Sequence, residues 1–161
     1  MEEVATLLEE KGHEVHPITL TGMGERVHLA SKDFGIETAI EDVLNVIKYN
    51  DHDDFVLVGH SFAGKVAAAV ADRAADKVRT LLFLDAFWPH KGIRTPQGAL
   101  QPDEFGPPKP GQWTISLTEE ILESIGKDVK GQDREWLMSN ATPWPLKLAN
   151  EPISSLRNLI R

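Results

Sequence analysis

Apolar residues first recur at helical spacing, with Val4, Leu7 and Leu8 on one face and Gly12 following as a helix-ending residue. Glu14 to Ile18 then alternates polar and apolar side chains, the period of a half-buried strand, and predicts a short β-strand. The stretch after it, TLTGMGERVHL, contains Gly22 and Gly24 and predicts a loop. Ile36, Ile40, Val43, Leu44 and Ile47 return to the helical period and predict a helix over 36–49. Past the polar break at Asp51 to Asp54, Phe55 to Val58 is a short apolar run of the kind that forms a fully buried parallel strand. From Phe62 to Ala75 the residues are small and helix-forming, with alanine at 67, 68 and 69, which lets a helix lie close against a sheet. Val78 to Leu84 is a second apolar run and ends at Asp85.

Helices alternating with strands predict an α/β fold, a partial doubly wound sheet of about three readable parallel strands joined by crossover helices. Beyond residue 86 the texture changes. Pro89, Pro96, Pro102, Pro107, Pro108 and Pro110 mingle with Gly92, Gly98, Gly106 and Gly111 and forbid long regular elements. Short helical stretches follow at Thr118 to Ile125 and Asp133 to Ser139 before Pro143 and Pro145 interrupt again. With 161 residues, 41% of them hydrophobic, the chain supports one domain with a core rather than two. Residues 1–86 are expected to form the sheet core and 87–161 a Pro/Gly-rich helical cap or lid.

Charge narrows the partners. Lys and Arg number 17 against 25 Asp and Glu, a net charge of -8 with no basic cluster, which argues against nucleic acid and anionic membranes. The absence of cysteine excludes disulfides, thiolate metal sites and a cysteine nucleophile. The acidic, amphipathic start MEEVATLLEEKG reads as neither signal nor transit peptide, and no apolar run approaches membrane-spanning length, so a soluble cytoplasmic protein is the expectation. No metal-ligand cluster or phosphate-binding glycine pattern is present; no cofactor and no metal are expected.

The segment GHSFAG, Gly59 to Gly64, falls between an apolar strand and a small-residue helix. In that setting it reads as a nucleophile elbow, a tight turn that exposes the Ser61 hydroxyl while the Phe62 N–H faces an oxyanion. A serine hydroxyl is a weak nucleophile at neutral pH and needs a base for its proton and N–H donors for the oxyanion. Small residues two before and two after the serine permit the turn; here they are Gly59 and Ala63, with Gly64 next. Ala63 departs mildly from the usual glycine. Asp85, at the end of the strand after the elbow, would emerge at the same sheet edge as Ser61, and reads equally as a triad acid or as a turn former.

The segments LLEEKGHEVHPITLTGMGERVHL, EDVLNVIKY, FVLVGHSFAGKVAAAVADR, LLFLDAFWPHKG and TPWPLKLANEP together resemble the bacterial esterase-like branch of the α/β-hydrolase superfamily, related to plant methylesterases and hydroxynitrile lyases. The resemblance implies Ser61 as nucleophile, Phe62 as oxyanion donor and the chain order serine, acid, histidine. His60 is then the variable residue beside the nucleophile, facing substrate or simply packing. Phe62, Phe87, Trp88 and Trp113 are candidate walls of an apolar substrate pocket, or core. The base is harder to find: His90 alone follows Asp85, by five residues, far closer than the family's histidine. His28 and Arg26 in the early loop either face the pocket or are solvated.

Against the family the chain looks truncated at both ends, lacking the strand and HG loop that supply a second oxyanion donor and the strands that lead to the histidine. The missing strand lies between those represented by 14–18 and 55–58, so these two pair directly, or another chain fills the gap, or backbone stays exposed. Three readings follow: a serine carboxylesterase acting on small apolar esters through an acyl-enzyme on Ser61, a catalytically impaired relative serving in ligand binding or assembly, or an enzyme completed by a second copy or another chain.

Overall fold

The computed structural model describes residues 2–87 and 110–151 together with Ile153 and Leu156. Helix α1 (Glu2–Glu9) ends in a turn closed by Gly12 at φ +87°, a backbone conformation that costs glycine nothing. Of its apolar residues only Ala5 is buried; Val4, Leu7 and Leu8 are exposed.

Residues 13–20 form no regular secondary structure, and the strand expected at 14–18 is absent. Alternation supplies a strand's side-chain pattern, but a strand exists only by its hydrogen-bond ladder, and among the described residues none pairs with this segment. Segment 14–18 therefore does not pair directly with the strand at 55–60. Ile18 and Leu20 still pack on the core, and the His16 ring lies 4.3 Å from that of His52. A 3-10 turn, Gly24–Leu29, occupies the predicted loop.

Helix α2 (Ile36–Tyr49) forms where the periodicity predicts it and buries Ile36, Ala39, Ile40, Val43 and Ile47. Strand β1 (Phe55–His60) pairs in parallel with β2 (Val78–Leu84), and helix α3 (Ala63–Arg73) crosses over between them. The parallel sheet so described has two strands rather than three. Small residues let α3 lie deep: Ala67, Ala68, Ala69 and Val70 are all buried, and Val66, Ala69 and Val70 join α2 in one core cluster with Phe34, Phe62 and Leu148. Phe55 and Leu57 turn toward this cluster. The opposite face corrects the expectation of a fully buried strand, since Val56, Val58, Leu82 and Leu84 are exposed, at 43–48% of full accessibility. No described element lies over them.

Among the described residues the C-terminal part holds a pair of two-residue strands and three helices. Strand β3 (Thr114–Ile115) pairs antiparallel with β4 (Trp144–Pro145). Between them lie α4 (Glu119–Ile125), whose N-cap Thr118 Oγ1 accepts from the Ile121 N–H at 3.2 Å, and α5 (Gly131–Asn140). Arg134 bridges Glu119 and Glu123. Helix α6 (Leu146–Asn150) packs on α2, burying Leu148 and Ala149. Just beyond it, the Glu151 carboxylate accepts from the Ile36 N–H at 2.8 Å and so caps α2 from 115 residues away. A side chain at Gly35 would collide with that carboxylate.

Candidate active site

Parallel pairing sets the site's geometry. His60 pairs with Leu84, so the next residues, Ser61 and Asp85, leave adjacent strands side by side at the carboxyl edge of the sheet. Both turn through the left-handed region, Ser61 at φ +49° and Asp85 at φ +39°. For residues with a Cβ this conformation costs of order 1–3 kcal/mol and persists only where its surroundings enforce it. Around Ser61 they do. Its N–H donates to the Leu84 carbonyl at 3.2 Å, while its carbonyl accepts from the N–H groups of Phe87 at 3.0 Å and Gly64 at 3.1 Å.

Two glycines make the turn possible. A Cβ on Gly59 would lie 2.9 Å from the Ala63 carbonyl, the Ala67 Cβ and the Gly64 Cα, and one on Gly64 would lie 2.7 Å from the Phe87 carbonyl and 2.8 Å from the Ala86 Cβ. The crowded positions are thus 59 and 64. Ala63, the departure noted in the sequence, is the first residue of α3 and only half-buried.

Phe62 enters the helix at φ -54°, ψ -37°. Among the described residues no hydrogen-bond acceptor faces its N–H. The Phe62 ring is buried and meets Trp144, centroids 6.0 Å apart, on one side. The Lys65 ammonium lies 5.6 Å from the same ring. Lys65 is itself 1% exposed, and its Nζ donates to the carbonyls of Glu151 at 3.0 Å and Ala149 at 3.4 Å. Burial pushes its pKa below the usual lysine value, against the opposing pull of the Glu151 carboxylate.

The other sequence candidates fall as follows. Asp85 is exposed at the sheet edge beside Ser61. His60 is exposed too, on the open face with Val56 and Val58, so of the two roles the sequence left open it does not take that of packing in the core. Phe87 is half-buried against the core and bonded to Ser61 through its backbone. Trp88 and His90 lie outside the described residues. Trp113, 40% exposed, leads into β3 and its carbonyl accepts from the Leu146 N–H at 2.8 Å. Among the described residues Trp144 is an aromatic that packs against the elbow residue Phe62. Arg26 neither faces the turn nor is free: it donates to the Thr19 carbonyl at 2.8 Å and to Thr21 Oγ1 at 2.6 Å, beside Asp42. His28 is exposed. Among the described residues no group of three metal-ligating side chains occurs, and no helix is long and apolar enough to cross a membrane.

Comparison with known proteins agrees with this geometry. A family model described as the alpha/beta hydrolase family matches residues 2–158. A carbendazim hydrolyzing esterase from a Nocardioides species is 47% identical over 90 residues, 56% of this chain and 37% of the esterase. Methylesterase 9 of Arabidopsis thaliana is 31% identical over 88 residues, 54% of this chain and 34% of that protein. The matched stretch thus spans about a third of each curated relative's length. Among solved structures, an extracellular alpha/beta-hydrolase from a Paenibacillus species superposes with a TM-score of 0.79 at 24% identity, covering 98% of this chain and 66% of that one. Tomato methylketone synthase I does so with 0.74 at 18%, covering 96% and 67%.

Proposed function

The chain belongs to the alpha/beta hydrolase family, and from that premise we propose that it carries the nucleophile of a carboxylesterase, Ser61, with Phe62 N–H as oxyanion donor and Asp85 as the acid that orients the base. The observation that carries this reading is the left-handed backbone at Ser61, fixed by three backbone hydrogen bonds, with a Phe62 N–H next to it for which no described residue is an acceptor. Strain of that kind at a non-glycine residue is retained where its side chain is needed.

In the proposed reaction Ser61 Oγ attacks the ester carbonyl carbon and loses its proton to a histidine. The carbonyl oxygen takes the negative charge facing the Phe62 N–H, and the leaving alkoxide departs with the proton from the histidine. Water then releases the acid from the acyl-enzyme. Among the described residues no histidine hydrogen-bonds Ser61 or Asp85, so this reading takes its base from outside them. The esterase names of the two curated relatives support the reaction class, and small apolar esters are the substrates this reading assigns to it. A fluorophosphonate probe, which reacts with activated serines, tests the reading: labelling at Ser61 that disappears in Ser61→Ala is expected. No labelling, under conditions where a control serine esterase reacts, sinks it.

One observation favours a second reading, completion by another polypeptide: the exposed sheet face of Val56, Val58, Leu82 and Leu84. Light scattering checks it. A monomer whose esterase turnover is independent of concentration and of any added chain contradicts it.

A further inference from the structure

We propose that Lys65 is a positioning residue for the elbow: its buried ammonium draws segment 144–151 onto α3 and thereby clamps the Phe62 ring, fixing the peptide whose N–H serves as oxyanion donor. The inference rests on the reading of Ser61 and Phe62 given above.

A lysine 1% exposed is rare and costly, because removing an ammonium from water is compensated only by well-made hydrogen bonds. Here the compensation comes from the carbonyls of Ala149 and Glu151. These lie at the carboxyl end of α6, where helix carbonyls lack internal partners and a cation is favoured. Trp144 lies at the opposite end of that same short segment, separated from α6 by Pro145 alone. Holding residues 149 and 151 against α3 therefore seats the Trp144 indole on Phe62, while the ammonium itself lies within cation–π range of the ring. The ammonium contact on the ring thus depends on Lys65 outright and the Trp144 contact in part, since α6 is also tied to α2 through Glu151 and Ile36, and the ring otherwise lies in the core cluster. Phe62 follows Ser61 directly and opens α3, so a ring that cannot tilt holds the 61–62 peptide in place.

A lysine that only cross-links the fold would alter stability and leave the elbow's reactivity intact once the protein is folded. The experiment compares wild type with Lys65→Met, which keeps the volume and removes the charge, and with Lys65→Arg. All are held well below their melting temperatures. Two readouts are taken: the rate of fluorophosphonate labelling, and hydrogen exchange at the Ser61 and Gly64 amides, whose bonds close the turn. We expect Lys65→Met to label about tenfold more slowly, a fraction of the loss caused by removing an oxyanion donor outright. Exchange at 61 and 64 should rise selectively, and Lys65→Arg should restore both. Wild-type labelling by Lys65→Met, or exchange raised uniformly along the chain, overturns the proposal. If wild type does not label, the reading of Ser61 has failed, and exchange at 61 and 64 alone then decides the clamp. Should Lys65→Met not fold, Trp144→Leu, which leaves the ammonium's bonds in place, takes its role; wild-type labelling and exchange in that variant overturn the proposal equally.

Discussion

Ser61 and Asp85 occupy equivalent positions on neighbouring parallel strands, each one residue past the His60–Leu84 pair and each left-handed, with the Ser61 N–H bonded to the carbonyl just before Asp85. Asp51 and Asp54 take the same conformation in the turn before β1, so the turn alone accommodates Asp85, whereas serine is not among the residues favoured there.

The strain at Ser61 is measurable. Ser61→Ala keeps the unfavourable φ and Ser61→Gly relieves it, so Ser61→Gly should be the more stable variant by about 1 kcal/mol. That corresponds to a melting temperature roughly 2–4 °C higher for a chain of this size. Equal stability in thermal denaturation would mean that the turn is not strained.

Asp85→Asn separates chemistry from fold, because asparagine tolerates left-handed backbone as aspartate does. Its stability should stay within about 0.5 kcal/mol of wild type. Ester turnover should fall by about 10⁴-fold, the loss seen when a triad acid can no longer orient its histidine. Turnover near wild type would reduce Asp85 to a turn former.

Gly64 is set by the chain that passes over it. A Cβ there would lie 2.7 Å from the Phe87 carbonyl and 2.8 Å from the Ala86 Cβ, so Gly64→Ala should cost about 1–3 kcal/mol. Ala63→Gly should cost no more than about 1 kcal/mol, the helix-propensity difference. Urea denaturation that ranks the two the other way would contradict the packing of the 86–87 loop on α3.

Lys65 gives stability a definite pH dependence. Burial lowers its pKa in the folded chain below the unfolded value of 10.5, so between the lowered value and 10.5 the unfolded chain binds more protons. Raising pH through that window stabilises the folded form. The unfolding free energy of wild type minus that of Lys65→Met should therefore rise as pH approaches 10.5, by at most about 1.4 kcal/mol per pH unit. A difference that falls with pH would show that burial does not dominate at this site.

Much of this arrangement is legible in the sequence because it is local. The apolar period of α2, the runs of β1 and β2, and the elbow between strand and helix each carry their own pattern. Tertiary features are not legible in that way. Alternation at 14–18 is genuine, yet no described residue pairs with it and it makes no strand. The apolar run of β1 implied burial on both faces, but only Phe55 and Leu57 turn inward to the core. Trp144, between Pro143 and Pro145, reads as a chain break, and its contact with Phe62 joins residues 82 positions apart. Lys65 did leave a trace. A lone lysine in AGKVAAAVADR, inside a helix of small residues that the sheet and α2 enclose, has little solvent to reach.

Trapping the intermediate tests the central claim most directly. The chain is mixed with p-nitrophenyl acetate, quenched during turnover with acid, and analysed by intact and peptide mass. One acetyl group on the peptide that contains Ser61, absent from Ser61→Ala along with the nitrophenol release, is the predicted result. Hydrolysis that continues unchanged in Ser61→Ala, or an acetyl group carried elsewhere, would contradict it.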